Sequence, residues 1–155
     1  MTELQDIDFV ELSDEEMHLY SRQILLDGWD IEAQEKLKLA NVLIVGAGGI
    51  GCTSTELLVR AGVGKITLID ADTIEISNLQ RQIAFGHEDI GRYKAEILAK
   101  RLQKINPYIC VEYYNERLDE HNIDRLIEHQ DVVLDGCDNF TTRYLVNAAC
   151  KKHQV

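Results

Sequence analysis

Proline is almost absent from this 155-residue chain, with Pro107 the only one. Nothing therefore interrupts its helix-forming stretches except the Asn106-Pro107 step, and there is no low-complexity segment or internal repeat. Nowhere do 18 apolar residues run together, which excludes an ordinary membrane-spanning helix. The N-terminal stretch "MTELQDIDFVELSDEE" is acidic and broken by charges, so it reads as neither signal peptide nor anchor. Basic residues are also scarce. Sixteen Lys and Arg face 27 Asp and Glu, a net charge of −11. Nucleic acids and anionic membranes need clustered cations to displace counterions, so neither is an expected partner. The four cysteines (Cys52, Cys110, Cys137, Cys150) form no C-x-x-C pair and show no zinc spacing. They are expected to be reduced, mostly buried thiols, which places the chain in the cytoplasm.

What is present suffices for one domain with a real core, since 45% of the residues are hydrophobic. Ser13 and Glu16 spell a capping box, so a helix is expected from Asp14 through "MHLYSRQILL", with Gly28 ending it. A second amphipathic piece covers Ile31 to Ala40. Residues 1–40 thus read as a helical extension, and 41–155 as a nucleotide-binding domain. In that domain "NVLIV" reads as a strand, "CTSTELLVRAG" as a helix and "KITLID" as a second strand ending at Asp70. "KAEILAKRLQKI" is a helix, "ICVEYYN" a third strand, "NIDRLIEH" a helix, "DVVLDG" a fourth strand and "TTRYLVNAACKKH" a last helix. Strands without polar alternation belong to a parallel sheet covered on both faces. The β-α-β-α order implies a right-handed, doubly wound, Rossmann-like α/β sheet. The chain stops where a fifth strand would begin, so a longer protein is expected.

Gly46, Gly48 and Gly51 form G-x-G-x-x-G after a strand and at the opening of a helix. Gly46 and Gly48 would allow a tight turn and close phosphate approach, and Gly51 close helix–strand packing. Asp70 stands where a carboxylate accepts from both ribose hydroxyls; otherwise it caps the following turn. An NAD enzyme and an ATP enzyme share everything to this point.

They part at "DADTIEISNLQRQ". Asp72 adds a second carboxylate, Ser77-Asn78 are placed to cap a short helix carrying Arg81, and Lys94 heads the next helix. A triphosphate carries about four charges, and fixed cations with Mg²⁺ are the usual answer to them. Asp138, after the fourth strand, is a carboxylate at the same sheet edge, and one such ligand is enough for Mg²⁺. Taken singly, Arg81 and Lys94 read as surface cations, and Asp138-Asn139 as a helix N-cap. Their joint placement favours the ATP site. The loop between Asp70 and Lys94 is too long and polar for a turn, so it should be functional or hold short helices.

"YSRQILL", "GAGGIG", "AGVGKITLIDADTIEISNLQRQ", "INP" and "DVVLDGCDNFTTRYLVNAAC" together resemble the ThiF/MoeB-type adenylyltransferases of the ubiquitin-activating-enzyme superfamily. The molybdopterin-synthase and thiamine-biosynthesis branches are the most similar, and the likeness spans about residues 13 to 155. It implies that ATP activates the C-terminal Gly-Gly carboxylate of a ubiquitin-like sulfur carrier as an acyl-adenylate. It implies further that Gly49 lies against the phosphates and Asp70 holds the ribose. Ser77, Asn78, Leu79, Gln80 and Arg81 would form the loop beside them, Lys94 would contact phosphate, Asp138 would bind Mg²⁺, and Asn139 would sit beside the nucleotide. Arg22 resembles the arginine inserted into a partner subunit's site, implying a homodimer. The catalytic set is then Arg22, Arg81, Lys94 and Asp138. Zinc is expected only in a part of such proteins that this chain does not contain. A non-catalytic partner subunit is an alternative, against which the presence of all four of these residues speaks. An NAD-dependent oxidoreductase is the other, and nothing marks its substrate site.

Overall fold

The computed structural model describes residues 10–155, so most of the acidic N-terminal stretch lies outside the described residues. In chain order the elements begin with α1 (Asp14–Leu19), α2 (Ser21–Ile24) and α3 (Ile31–Leu39). β1 (Asn41–Val45), α4 (Gly49–Ala61), β2 (Lys65–Ile69), α5 (Lys94–Ile105) and β3 (Cys110–Tyr114) follow. The series closes with α6 (Ile123–Ile127), β4 (Val132–Asp135) and α7 (Phe140–His153). The four strands are all parallel, in the order β3-β2-β1-β4.

Successive strand residues point to opposite faces, which divides the core in two. Val42, Ile44, Ile66 and Leu68 pack with Val59 of α4 and with Leu98 and Leu102 of α5. Leu43, Val45 and Ile69 pack with Ile123, Leu126 and Ile127 of α6 and with Val146 and Ala149 of α7. The expected α/β architecture with helices on both faces is therefore observed. Cover on both faces is confined to the central strands. β1 and β2 are buried after their first residues, whereas β3 and β4 are edges with exposed positions. For that reason Cys110 on β3 is exposed; Cys137 after β4 and Cys150 on α7 are half-buried, leaving Cys52 as the one fully buried thiol of the four. The expectation of mostly buried thiols fails at these edges.

The single N-terminal helix is also corrected. The Ser13–Glu16 capping box forms as read, but α1 stops at Leu19 and α2 at Ile24. The break falls at Tyr20, whose ring is 3% exposed and whose hydroxyl accepts from Asn106 Nδ2 at 2.7 Å. Asn106 also donates to Val59 O at 2.8 Å. Gln34 and Gln23 both donate to Ala61 O, at 2.8 and 2.7 Å, at the end of α4. These buried polar pairings tie the N-terminal helices to the sheet domain, because each buried amide must find its partners.

From β1 the chain adds β2 and β3 on one side and then crosses to add β4 on the other, so the winding of the sheet reverses between β1 and β4. In an open parallel sheet this switch opens a crevice beyond the carboxyl ends of the strands. The glycine turn lies there.

Candidate functional site

β1 runs into Gly46, which takes φ +92°, a conformation that favours glycine. Its N–H donates to Ile69 O at 2.9 Å, and Gly136 N–H, after β4, donates to Val45 O at 2.8 Å. A Cβ on Gly46 would stand 3.1 Å from the Gly136 backbone, so the two strand ends close on each other. Gly51 is required by packing, since its Cβ would fall 1.9 Å from Gly46 O. Gly48, the N-cap of α4, has no side-chain cap, and α4 is 13 residues long. Its first N–H groups are thus free to meet an anion. A Cβ on Gly48 would find only Gln82 Nε2, at 3.9 Å, and one on Gly49 only Arg81, at 3.4 Å or beyond. The turn is tight at Gly46 and Gly51 and open at Gly48 and Gly49.

Asp70 follows β2 and is tied to this turn. Its Oδ2 accepts from Ala47 N–H and its Oδ1 from Asp72 N–H, both at 2.7 Å. The turn-capping role is observed, and it leaves each carboxylate oxygen a second lone pair for a further donor. Burial pushes the Asp70 carboxyl above its ordinary value, against the pull of those two N–H groups.

The long loop after Asp70 is ordered by its own hydrogen bonds. Ile74 N–H donates to Arg92 O and Gly91 N–H to Ile74 O, beside a Thr73–Tyr93 bridge. It holds two 3-10 turns, Ile76–Asn78 and His87–Asp89. The first has Glu75 as its N-cap position, so Ser77 and Asn78 lie within it rather than ahead of a helix as expected. Asn78 is buried, and its Oδ1 accepts from Glu75 N–H at 3.0 Å. Arg81 comes after this turn rather than on a helix. It is exposed, with its carbonyl oxygen and Cγ beside Gly49, and its guanidinium donates to Ser77 O at 3.0 Å. Ser77 and Gln80 are exposed and Leu79 half-buried.

Lys94 opens α5 as expected, and it is 6% exposed. Its Nζ donates to Asp72 Oδ2 at 2.9 Å, and its backbone N–H donates to Asp72 O. Lys94 also lies close enough to Asp70 to favour its ionised form. Asp138 is exposed after β4, and Asn139 is the N-cap of α7, its Oδ1 accepting from Thr142 N–H at 2.9 Å. Among the described residues no cluster of three or more His, Cys, Asp or Glu side chains is placed to hold a metal. Asp138 alone fits a cation that takes one carboxylate together with phosphate oxygens and water. Arg22, on α2, is exposed, and its neighbour Gln23 is bonded to Ala61 O, at the opposite end of α4 from the glycine turn.

Thiol chemistry finds little support here. Burial pushes the Cys52 thiol up to about 12, and burial raises Cys137 and Cys150 as well. Four of the five histidines are exposed, and His153 is half-buried, 2.7 Å from Asp124.

The ThiF family model matches residues 20–155, which include every element from the end of α1 to the end of α7. The chain belongs to the ThiF family. A molybdopterin-synthase adenylyltransferase of Salmonella typhimurium is 48% identical over 94% of this chain and 58% of its own length. A sulfur carrier protein adenylyltransferase of Thermus thermophilus is 46% identical over 87% of this chain and 50% of its own. This ThiF-family chain thus spans about half the length of the curated relatives it matches. Among solved structures, the E. coli tRNA N6-threonylcarbamoyladenosine dehydratase in complex with ATP superposes with a TM-score of 0.87. It is 28% identical, covering 94% of this chain and 60% of the other.

Sequence reading missed one residue of this ThiF-family site. Gln82 is 3% exposed, its amide nitrogen faces Gly48, and its Oε1 is buried without a hydrogen-bond partner. The signal was its place beside Arg81 in "NLQRQ", but nothing in that spelling tells a buried glutamine from a solvated one.

Proposed function

We propose that this chain is the nucleotide-binding part of an adenylyltransferase that uses ATP to activate the C-terminal Gly-Gly carboxylate of a ubiquitin-like sulfur carrier. The product is an acyl-adenylate, pyrophosphate leaves, and the pathway served is molybdopterin or thiamine biosynthesis. The observation that carries this reading is Arg81 beside Gly49: its carbonyl oxygen and Cγ border the uncapped start of α4, and its exposed guanidinium donates to Ser77 O. A cation tethered beside the open part of the glycine turn suits a polyphosphate that is to be split.

Asp70 would hold the ribose while its backbone hydrogen bonds fix it to the turn. Gly46, Gly48, Gly49 and Gly51 would seat the phosphates, with Ser77, Asn78, Leu79, Gln80 and Asn139 along the nucleotide. Lys94 would exchange its partner Asp72 for phosphate oxygens. Asp138 would hold Mg²⁺, which when bound supplies positive charge to the triphosphate. The attacking carboxylate, with a pKa near ~3.5, is already ionised at neutral pH and needs no general base. What it needs is relief of anion–anion repulsion and stabilisation of the leaving pyrophosphate, and Arg81 and Lys94 supply both by position.

Arg22 would complete the site of a second copy. Leu25 and Leu26 beside it are 78% and 61% exposed, and Ile50 and Leu57 on one face of α4 are 70% and 63% exposed. Apolar surface of this kind is what a homodimer would cover.

The test is the carboxylate dependence of ATP–pyrophosphate exchange across a panel of ubiquitin-like carriers. Exchange should require a carrier ending in Gly-Gly and vanish when the last two residues are removed. Exchange indifferent to that tail, or absent with every carrier, would overturn the reading.

A further inference from the structure

The least explained polar group at this site is the Gln82 side-chain amide. It is not held for the sake of the fold, because no hydrogen bond to it exists among the described residues and its Oε1 is buried unpaired. Leaving a buried polar atom unpaired costs stability, and an apolar side chain of the same length would avoid the loss. By contrast the backbone at Gln82 is well used: its N–H donates to Asn78 O at 3.0 Å and its carbonyl accepts from Phe85 at 3.2 Å. The turn therefore fixes where the side chain goes, and it goes to the glycine turn. Its Nε2 is the one atom that a Cβ on Gly48 would meet within 4 Å.

We propose that Gln82 is a further ligand of the nucleotide's phosphate chain, its amide N–H donating to a phosphate oxygen seated over Gly48. This rests on the nucleotide reading above. Arg81 and Gln82, adjacent in sequence, would then address the phosphates from two sides of Gly48-Gly49, one as a cation and one as a neutral donor. The buried amide adds directionality that a long exposed arginine lacks.

The experiment is calorimetric titration of Mg-ATP and of adenosine into the wild-type chain, Gln82→Met and Gln82→Glu, with thermal melts of the nucleotide-free proteins. Methionine keeps length and volume and removes the donor. Gln82→Met should bind Mg-ATP about 10-fold or more weakly, the loss expected of one hydrogen bond to a charged group. Adenosine binding and the melting temperature should not fall. Gln82→Glu, of the same shape but anionic, should bind Mg-ATP more weakly still and leave adenosine unchanged. Wild-type affinity for Mg-ATP in Gln82→Met would overturn the proposal, as would equal loss of ATP and adenosine. A nucleotide-free Gln82→Met that melts well below wild type would also overturn it, since the amide would then serve the fold. Failure of the wild-type chain to bind Mg-ATP would overturn the nucleotide reading itself.

Discussion

Lys94 Nζ lies 2.9 Å from Asp72 Oδ2, with the lysine side chain 8% exposed and the aspartate 71% exposed. The pair is lopsided: an almost fully buried ammonium reaches out to a carboxylate that water already solvates. Such a carboxylate is readily exchanged for a better anion, whereas the ammonium is held by α5 and has nowhere else to go. If Lys94 meets phosphate as proposed, Asp72 would hold its place until the nucleotide binds.

Replacing Lys94 by Met should consequently leave the fold intact, because Asp72 is solvated without it. Mg-ATP affinity should fall about 10- to 100-fold, the scale of a lost charge-assisted hydrogen bond. Calorimetry with a parallel melt checks both halves, and undiminished affinity would contradict the placeholder role.

The glycine turn separates packing from access. Gly51→Ala should fail to fold or melt far below wild type, since its Cβ would fall 1.9 Å from Gly46 O. Gly48→Ala meets no atom nearer than 3.9 Å, so it should melt close to wild type and yet bind Mg-ATP weakly. Comparable melting of the two variants would refute this division.

Much of this arrangement is legible in sequence, and the limits have a physical pattern. The capping box at Ser13 and Glu16, the apolar strands and the glycine turn are local, so spelling and spacing expose them. The break at Tyr20 is not, because it answers to Asn106, 86 residues away, and periodicity reports only which side of a helix is apolar. The same holds for Lys94 and Asp72, 22 residues apart, and for the buried amide of Gln82. The exposure of Cys110 depends on β3 being an edge, which strand order decides and no short window reveals.

Glu16 links pH to the docking of the N-terminal helices. Burial pushes its carboxyl up, but Lys38 at 2.7 Å and the Ser13 cap outweigh that and hold it below its ordinary 4.5. A folded value below the unfolded one contributes stability above the unfolded value, lost as pH falls through the folded one. The wild-type melting temperature should therefore drop more steeply than that of Glu16→Gln between about pH 5 and pH 3. Parallel curves for the two proteins would contradict the linkage.

If Arg22 serves the site of a second copy, two inactive variants should rescue each other. Arg22→Ala and Arg81→Ala, unfolded and refolded together in equal amounts, should recover about a quarter of wild-type exchange, because half the symmetric pairs are mixed and each has one complete site. No recovery in a mixture shown to form mixed dimers would place Arg22 outside the site.

The most direct measurement is ATP–pyrophosphate exchange, with a Gly-Gly carrier, by wild-type protein, Arg81→Ala and Asp138→Ala. Both side chains are exposed, so both variants should melt like wild type. Exchange should be abolished in each, because in the proposed site Arg81 would lay charge on the phosphates and Asp138 would complete the Mg²⁺ site. Undiminished exchange in either folded variant would contradict the account.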